Sequence, residues 1–317
     1  MRRALLCSIV VLTISPAPWI YASNTARPLT EKQVDRLVST AVQDQLKADK
    51  ESPPAFIYRD HVVKPGKNEY AIVVQTTAHG SVRRVTRLNG EPIPLKQQKA
   101  QVERFVHSSA LQQKQRHNDA HDARQATQLL RMIPKAFLWT VKSETSTQVT
   151  LNYKPNPSFH PPNKEDRVFA AMAGEMILDR QQHRIVAFAG SLIHNVNFFF
   201  GLIGHMSKGG TFSVRRKQVQ PGVWEIVSTR IHIHGHILLF KTISQDEDDH
   251  DTAFQKAPQD STLQQAAKLA MRQPDWPSGG RSVSSVSPAS IEAHSLRGAD
   301  LRHSLAQNPL VRRRASR

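Results

Sequence analysis

A run of short β segments between Pro134 and Ile243 restricts the fold of this chain more than any other feature. Residues 137–142, 147–153, 174–179, 183–192, 210–218, 223–233 and 236–243 are each rich in β-branched and aromatic residues. The connections at 179–182 and 220–222 are short turns, which join neighbouring segments antiparallel. Three further segments come first: 55–64 and 69–77 flank Pro65-Gly66, and 81–88 ends at Asn89-Gly90, both hairpin signals. The expectation is an antiparallel meander in an α+β protein.

Helices precede and interrupt the meander. Thr30 reads as an N-cap with Gln33 three residues on, and Val34, Leu37, Val38, Ala41 and Val42 share one helical face. Pro53 and Pro54 end that helix. From 95 to about 133 the chain is rich in Gln, Lys and Arg, with Val102, Phe105, Val106, Ala126, Leu129 and Leu130 spaced for one or two helices. Pro134 is expected to restart β structure. Beyond Ser244 the texture changes to an acidic run at 245–251, a Ser-, Gly- and Pro-rich stretch at 277–290 and a basic end at 312–317. A short helix at 263–271 apart, this region has too few apolar side chains to offset the entropy of ordering, and it reads as a mostly disordered tail.

The N-terminus reads as a signal peptide. Arg2 and Arg3 precede an apolar run from Ala4 to Ile14, shorter than the about 20 residues that a membrane-spanning helix needs. Cleavage is expected after Ala22. The one cysteine, Cys7, leaves with this segment, so the mature chain has no disulfide, thiolate nucleophile or cysteine metal ligand. The expected location is the periplasm or envelope, without a membrane span. The divisions are 1–22 signal peptide, 23–54 N-terminal helix and linker, 55–244 sheet domain with a helical insertion at about 95–133, and 245–317 tail.

The charge admits two readings, a solvated basic surface or an anionic partner. Lys and Arg number 43 against 26 Asp and Glu, a net of +17. Residues 245–317 hold 10 basic and 9 acidic side chains, so the excess lies in the body of the chain. No RNA-recognition, zinc-finger or helix-turn-helix pattern accompanies it, and no nucleic acid is expected. Outside the cytoplasm the polyanions are phospholipid head groups, lipopolysaccharide and cell-wall polymers, which makes an anionic membrane surface a candidate partner.

The order of elements carries a resemblance. Arg83-Arg84-Val85 runs through Asn89-Gly90-Glu91-Pro92-Ile93 into a polar helix, and Leu129-Leu130-Arg131-Met132-Ile133-Pro134-Lys135-Ala136-Phe137 runs into a strand. Tyr153-Lys154-Pro155-Asn156-Pro157, Ala173-Gly174-Glu175-Met176-Ile177-Leu178-Asp179, His183-Arg184-Ile185-Val186 and Leu238-Leu239-Phe240-Lys241 follow. Over residues 58–243 the chain resembles a group of uncharacterised exported bacterial proteins related to the outer-membrane lipoprotein-sorting superfamily, that of the lipoprotein carriers and sigma-factor regulators. The resemblance implies a half-open β-barrel, a curved antiparallel sheet with helices against its concave face, and an apolar cavity for lipid or lipoprotein acyl chains.

Chemistry-bearing patterns are few. The chain has no G-x-S-x-G elbow, P-loop, H-E-x-x-H or dinucleotide fingerprint, and the reading is non-enzymatic. His232, His234 and His236 alternate, so a strand would present them on one face, a geometry that zinc and copper accept. Gly235 interrupts that stripe, and a polar lining is the favoured reading, with no metal or cofactor expected. His117 and His121 lie four apart on a predicted helix and read as surface residues. The run from Phe198 to Met206 is the most apolar patch, and its three consecutive aromatics do not alternate as a half-exposed strand would. Phe198, Phe199, Phe200, Leu202, Ile203 and Met206 are therefore the candidate ligand-binding residues, as the cavity or lip of a site for a lipid or lipid-modified, amphipathic ligand. An envelope-sensing interaction module that acts on a membrane partner is the alternative, and a His-rich metal-binding protein the third.

Overall fold

Thirteen strands and five helices are described in the computed structural model, which covers residues 29–51, 54–198, 204–237 and 241–275. In chain order they are α1 (Glu31–Ala48), β1 (Phe56–Lys64), β2 (Lys67–Thr76), β3 (Gly80–Leu88), β4 (Glu91–Pro92), α2 (Leu95–Val106), α3 (Ser109–Ala136), β5 (Phe137–Glu144) and β6 (Gln148–Pro155). Then come α4 (Lys164–Ala170), β7 (Met172–Asp179), β8 (Arg184–Leu192), β9 (Val196–Phe198), β10 (Gly204–Met206), β11 (Thr211–Gln220), β12 (Val223–Ile237), β13 (Lys241–Lys256) and α5 (Leu263–Arg272). Eleven strands form one antiparallel sheet in the order β4-β3-β2-β1-β13-β12-β11-β8-β7-β6-β5, and its two ends do not meet. The fold is α+β with a large open sheet, as the sequence suggests.

Local chemistry sets the turns and caps. Gly66 at φ 73°, and Asn89 and Gly90 at 51° and 88°, take the left-handed conformations that two-residue hairpin turns require. Asn89 also accepts the Asn68 N–H on its side-chain oxygen at 2.7 Å. At the head of α1, the Thr30 backbone N–H donates to Gln33 Oε1 at 2.8 Å.

The helices divide between the two faces. Val34, Val38, Ala41 and Val42 of α1, with Met132, Ile133 and Ala136 of α3, pack on Trp139, Leu151, Tyr153, Met176, Leu178 and Phe188 to form the main core over β5–β8. Across the sheet register, Ile57, Ile72, Val74 and Val82 project from the opposite face, where α2 and α5 cover them with Val102, Val106, Leu263 and Ala266.

Three expectations change. Pro134 lies inside the last turn of α3 and does not begin a strand. It removes one N–H from the helix, while the closing carbonyls of Lys135 and Ala136 each accept from Asn156 at 2.9 Å, which satisfies two of the end carbonyls. Gly235 does not interrupt its strand, because β12 continues through it to Ile237 opposite β13. The acidic run assigned to the tail is strand: Gln245–Lys256 belongs to β13, which sits mid-sheet between β1 and β12. Its carboxylates meet cations through cross-strand pairing, with Lys64 Nζ 2.5 Å from Glu247 Oε1 and Arg230 Nε 3.9 Å from Asp248 Oδ1. The helix expected at 263–271 is α5, docked through buried Leu263, Ala266 and Ala270.

Candidate functional site

The inner side of the main core is aromatic. Phe137 lies 4.6 Å from Tyr153, Tyr153 4.8 Å from Phe188, and Phe188 5.1 Å from Phe212, measured between ring centres. Phe169 of α4 closes on Phe137 at 5.3 Å. Two glycines make room for this cluster. Gly174 and Gly190 stand directly opposite each other on β7 and β8, and Tyr153 passes over them to donate its hydroxyl to Ala189 O at 3.2 Å. Burial pushes the Tyr153 phenol well above its ordinary value, so it stays neutral and a donor.

At the β11–β12 end this core is incompletely covered. Phe169, Met206, Phe212 and Ile233 pack against it but remain half-buried, whereas Val196 beside them is buried. The β9–β10 hairpin is stitched to the margin here: Val196 pairs with Met206, Phe198 with Gly204, and β10 pairs in turn with β12. The two ends of the Phe198–Met206 run are thus strand rather than helix or loop. Phe199, Phe200, Leu202 and Ile203 lie outside the described residues. Of the expected ligand-binding residues, Met206 is brought to the half-open end of the core, and the backbone of Phe198 lies beside it.

His232 and His234 face carboxylates rather than one another. His232 Nδ1 lies 3.3 Å from Asp246 Oδ1 and its Nε2 3.2 Å from Asp248 Oδ1, while His234 Nε2 lies 3.6 Å from Asp246 Oδ1. His236 is placed by backbone register opposite His205 and Thr242. His250 and His61, a register pair on the same face, continue the row, and His61 stacks on Tyr70 at 3.9 Å. Desolvation lowers the His250 pKa; Arg230 and His61 add to this and Asp248 opposes it. On the helix, His121 Nδ1 contacts Asp122 Oδ1 at 3.0 Å, while His117 is exposed.

The described residues gather metal-type ligands in one other place. Asp60 of β1, with Asp249 and Asp251 of β13, bring carboxylate oxygens within 4.8 Å of one another, and all three side chains are buried. They could offer a divalent cation oxygen ligands. Arg83 already forms an ion pair with Asp60.

A groove of about 800 Å³ runs between α3 and the segment before α4. Met132, Phe159 and Pro162 give it an apolar floor, and exposed Arg124, Arg131, Lys135 and His160 line it beside them. Met132 and Phe159 also belong to the main core, so the floor continues inward. The sequence reading missed this groove. The signal was present in part, since Arg124, Arg131 and Lys135 recur at helical spacing.

No protein-family model, no curated protein and no solved structure matches this chain.

Proposed function

We propose that this protein is a non-enzymatic binding protein of the bacterial envelope that takes up a lipid or lipid-modified, amphipathic ligand. The observation that carries this reading is the half-buried apolar end of the main core. There Phe169, Met206, Phe212 and Ile233 lie against the aromatic cluster, beside a hairpin whose sequence contains the Phe198–Met206 run. Apolar side chains left half-covered at the end of a continuous core are where an acyl chain would gain burial, at about 25 cal/mol per Å². The resemblance to lipoprotein-sorting proteins supports the same ligand class, and the apolar run after Arg2 and Arg3 supports export. Among the described residues no helix is long and apolar enough to cross a membrane.

The experiment is a fluorescent fatty-acid binding titration, with melting curves, on wild type and on Phe212→Glu and Met206→Glu. Loss of binding with little change in melting supports a ligand site, because at an open end the new charge reaches water. Loss of melting temperature in both variants would assign these residues to plain core packing.

A further inference from the structure

The α3 groove differs in chemistry from the aromatic core. Arg124, Arg131 and Lys135 are seven and four residues apart, which sets them in one stripe about 16 Å long on a helix rising about 1.5 Å per residue. All three are exposed, and among the described residues none takes part in an ion pair. The carboxylate at the margin, Asp166, is buried and accepts a hydrogen bond from Gln128 Nε2 at 2.7 Å. Gln128 lies in the same stripe as the three cations. His160 adds a fourth polar group from the opposite wall; its Nδ1 lies 3.2 Å from Ser158 O.

Cations around an apolar floor select for a ligand that is both anionic and greasy. A purely polar anion would leave Phe159 and Pro162 uncovered, and a neutral lipid would leave three guanidinium and ammonium groups without a counter-charge. We infer that this groove binds the head group of a phosphate-bearing amphiphile, with the Arg124, Arg131 and Lys135 side chains on the phosphate and the first carbons of the apolar part on Phe159 and Met132. Arginine donates in a planar fork that matches two phosphate oxygens, and lysine supplies a point charge beside it. The assignment rests on the amphiphile reading above for the ligand's apolar part, and on the groove alone for its charge. The groove's size suits one bound molecule, at about 300–1,000 Å³ for typical ligand sites.

The test compares dodecyl phosphate with dodecyl maltoside, below their micellar concentrations, by calorimetric titration of the wild-type protein and of an Arg124→Gln/Arg131→Gln/Lys135→Gln triple variant. Wild type should bind dodecyl phosphate at least about tenfold more tightly, a preference that weakens with added salt. The triple variant should lose that preference and keep both its melting temperature and its affinity for the maltoside, because the three side chains make no ion pair that the fold uses. Equal affinity for the two probes in wild type would overturn the head-group site, and so would a preference that survives in the triple variant. Both outcomes leave the amphiphile reading standing, since the maltoside still binds. Inorganic phosphate competing as well as dodecyl phosphate would show that the apolar floor contributes nothing, and would overturn the head-group assignment. Failure of every amphiphile to bind would remove both readings.

Discussion

Arg84 Nη1 meets Asp275 Oδ1 at 3.0 Å, joining the third strand of the sheet to the residues just past the last helix. The two partners are unequal. Arg84 is 2 % exposed and Asp275 55 %, so the arginine carries the energetics and the aspartate is a solvated counter-ion. The guanidinium also donates to Gln98 Oε1 at 3.0 Å and to Gln273 O at 2.7 Å, which ties α2 and the end of α5 to β3. Desolvation lowers the Arg84 pKa, with Asp275 opposing the shift.

Replacing Arg84 with leucine should therefore cost about 2–3 kcal/mol, from the stranded Gln98 and Gln273 acceptors, and loosen α5. Asp275→Asn should cost less than about 1 kcal/mol, as exposed ion pairs do. Chemical denaturation of the two variants, with limited proteolysis near residue 260, checks the order. Equal losses would mean that the salt bridge rather than the buried network holds α5.

Gly190 is confined by the hydroxyl that crosses it. A Cβ added there would fall 2.0 Å from Tyr153 Oη and 2.8 Å from Ala173 O. Gly190→Ala should destabilise by about 1–3 kcal/mol through overpacking. Removing the hydroxyl with Tyr153→Phe in the same chain should recover part of that loss, because the hydroxyl is the nearer of the two obstacles. A double-mutant cycle on melting temperature reads the coupling, and strict additivity would contradict it.

His250 should make the fold sensitive to mild acid. Its folded pKa lies below the ordinary 6.5, so the unfolded chain takes up the proton first as pH falls. Stability from this group is complete above about pH 6.5, declines as pH falls from there to the folded pKa, and changes no further below it. His61, His232 and His234 lie on the same face, so the readout is a difference. Melting temperature from pH 7.5 to 5 should fall less steeply in His250→Gln than in wild type. Parallel curves would remove His250 from the account.

The hairpin turns and the apolar strands could be read from the sequence because their signals are local. Asn89-Gly90 needs left-handed backbone whatever surrounds it, and the β-branched run Ile72, Val73 and Val74 reads as strand without alternation because both of its faces are covered. Strand β13 is the opposite case. Asp246, Asp248 and Glu247 look like a solvated run until His232, Arg230 and Lys64 arrive from other strands. The same limit hid the α3 groove: its cations are visible at helical spacing, but its floor needs Phe159 and Pro162 from a segment that follows two strands later. Met206 stands out in the sequence by its apolar neighbours, and its place at the margin of the core depends on a pairing between β10 and β12 that no periodicity encodes.

The position of β13 also governs the order in which this molecule can be assembled. Asp60 finds its register partner at Asp251, and on that side β1 pairs with β13, the last strand in chain order among the described residues. Until β13 is made, β1–β3 and β5–β12 are two separate sheets, each with an unpaired edge, and no nascent fragment can close the gap. Pairing so distant in sequence is slow, and it exposes those edges to mispairing while the chain waits. A chain truncated anywhere before Lys241 would therefore be two incomplete halves rather than a shortened protein.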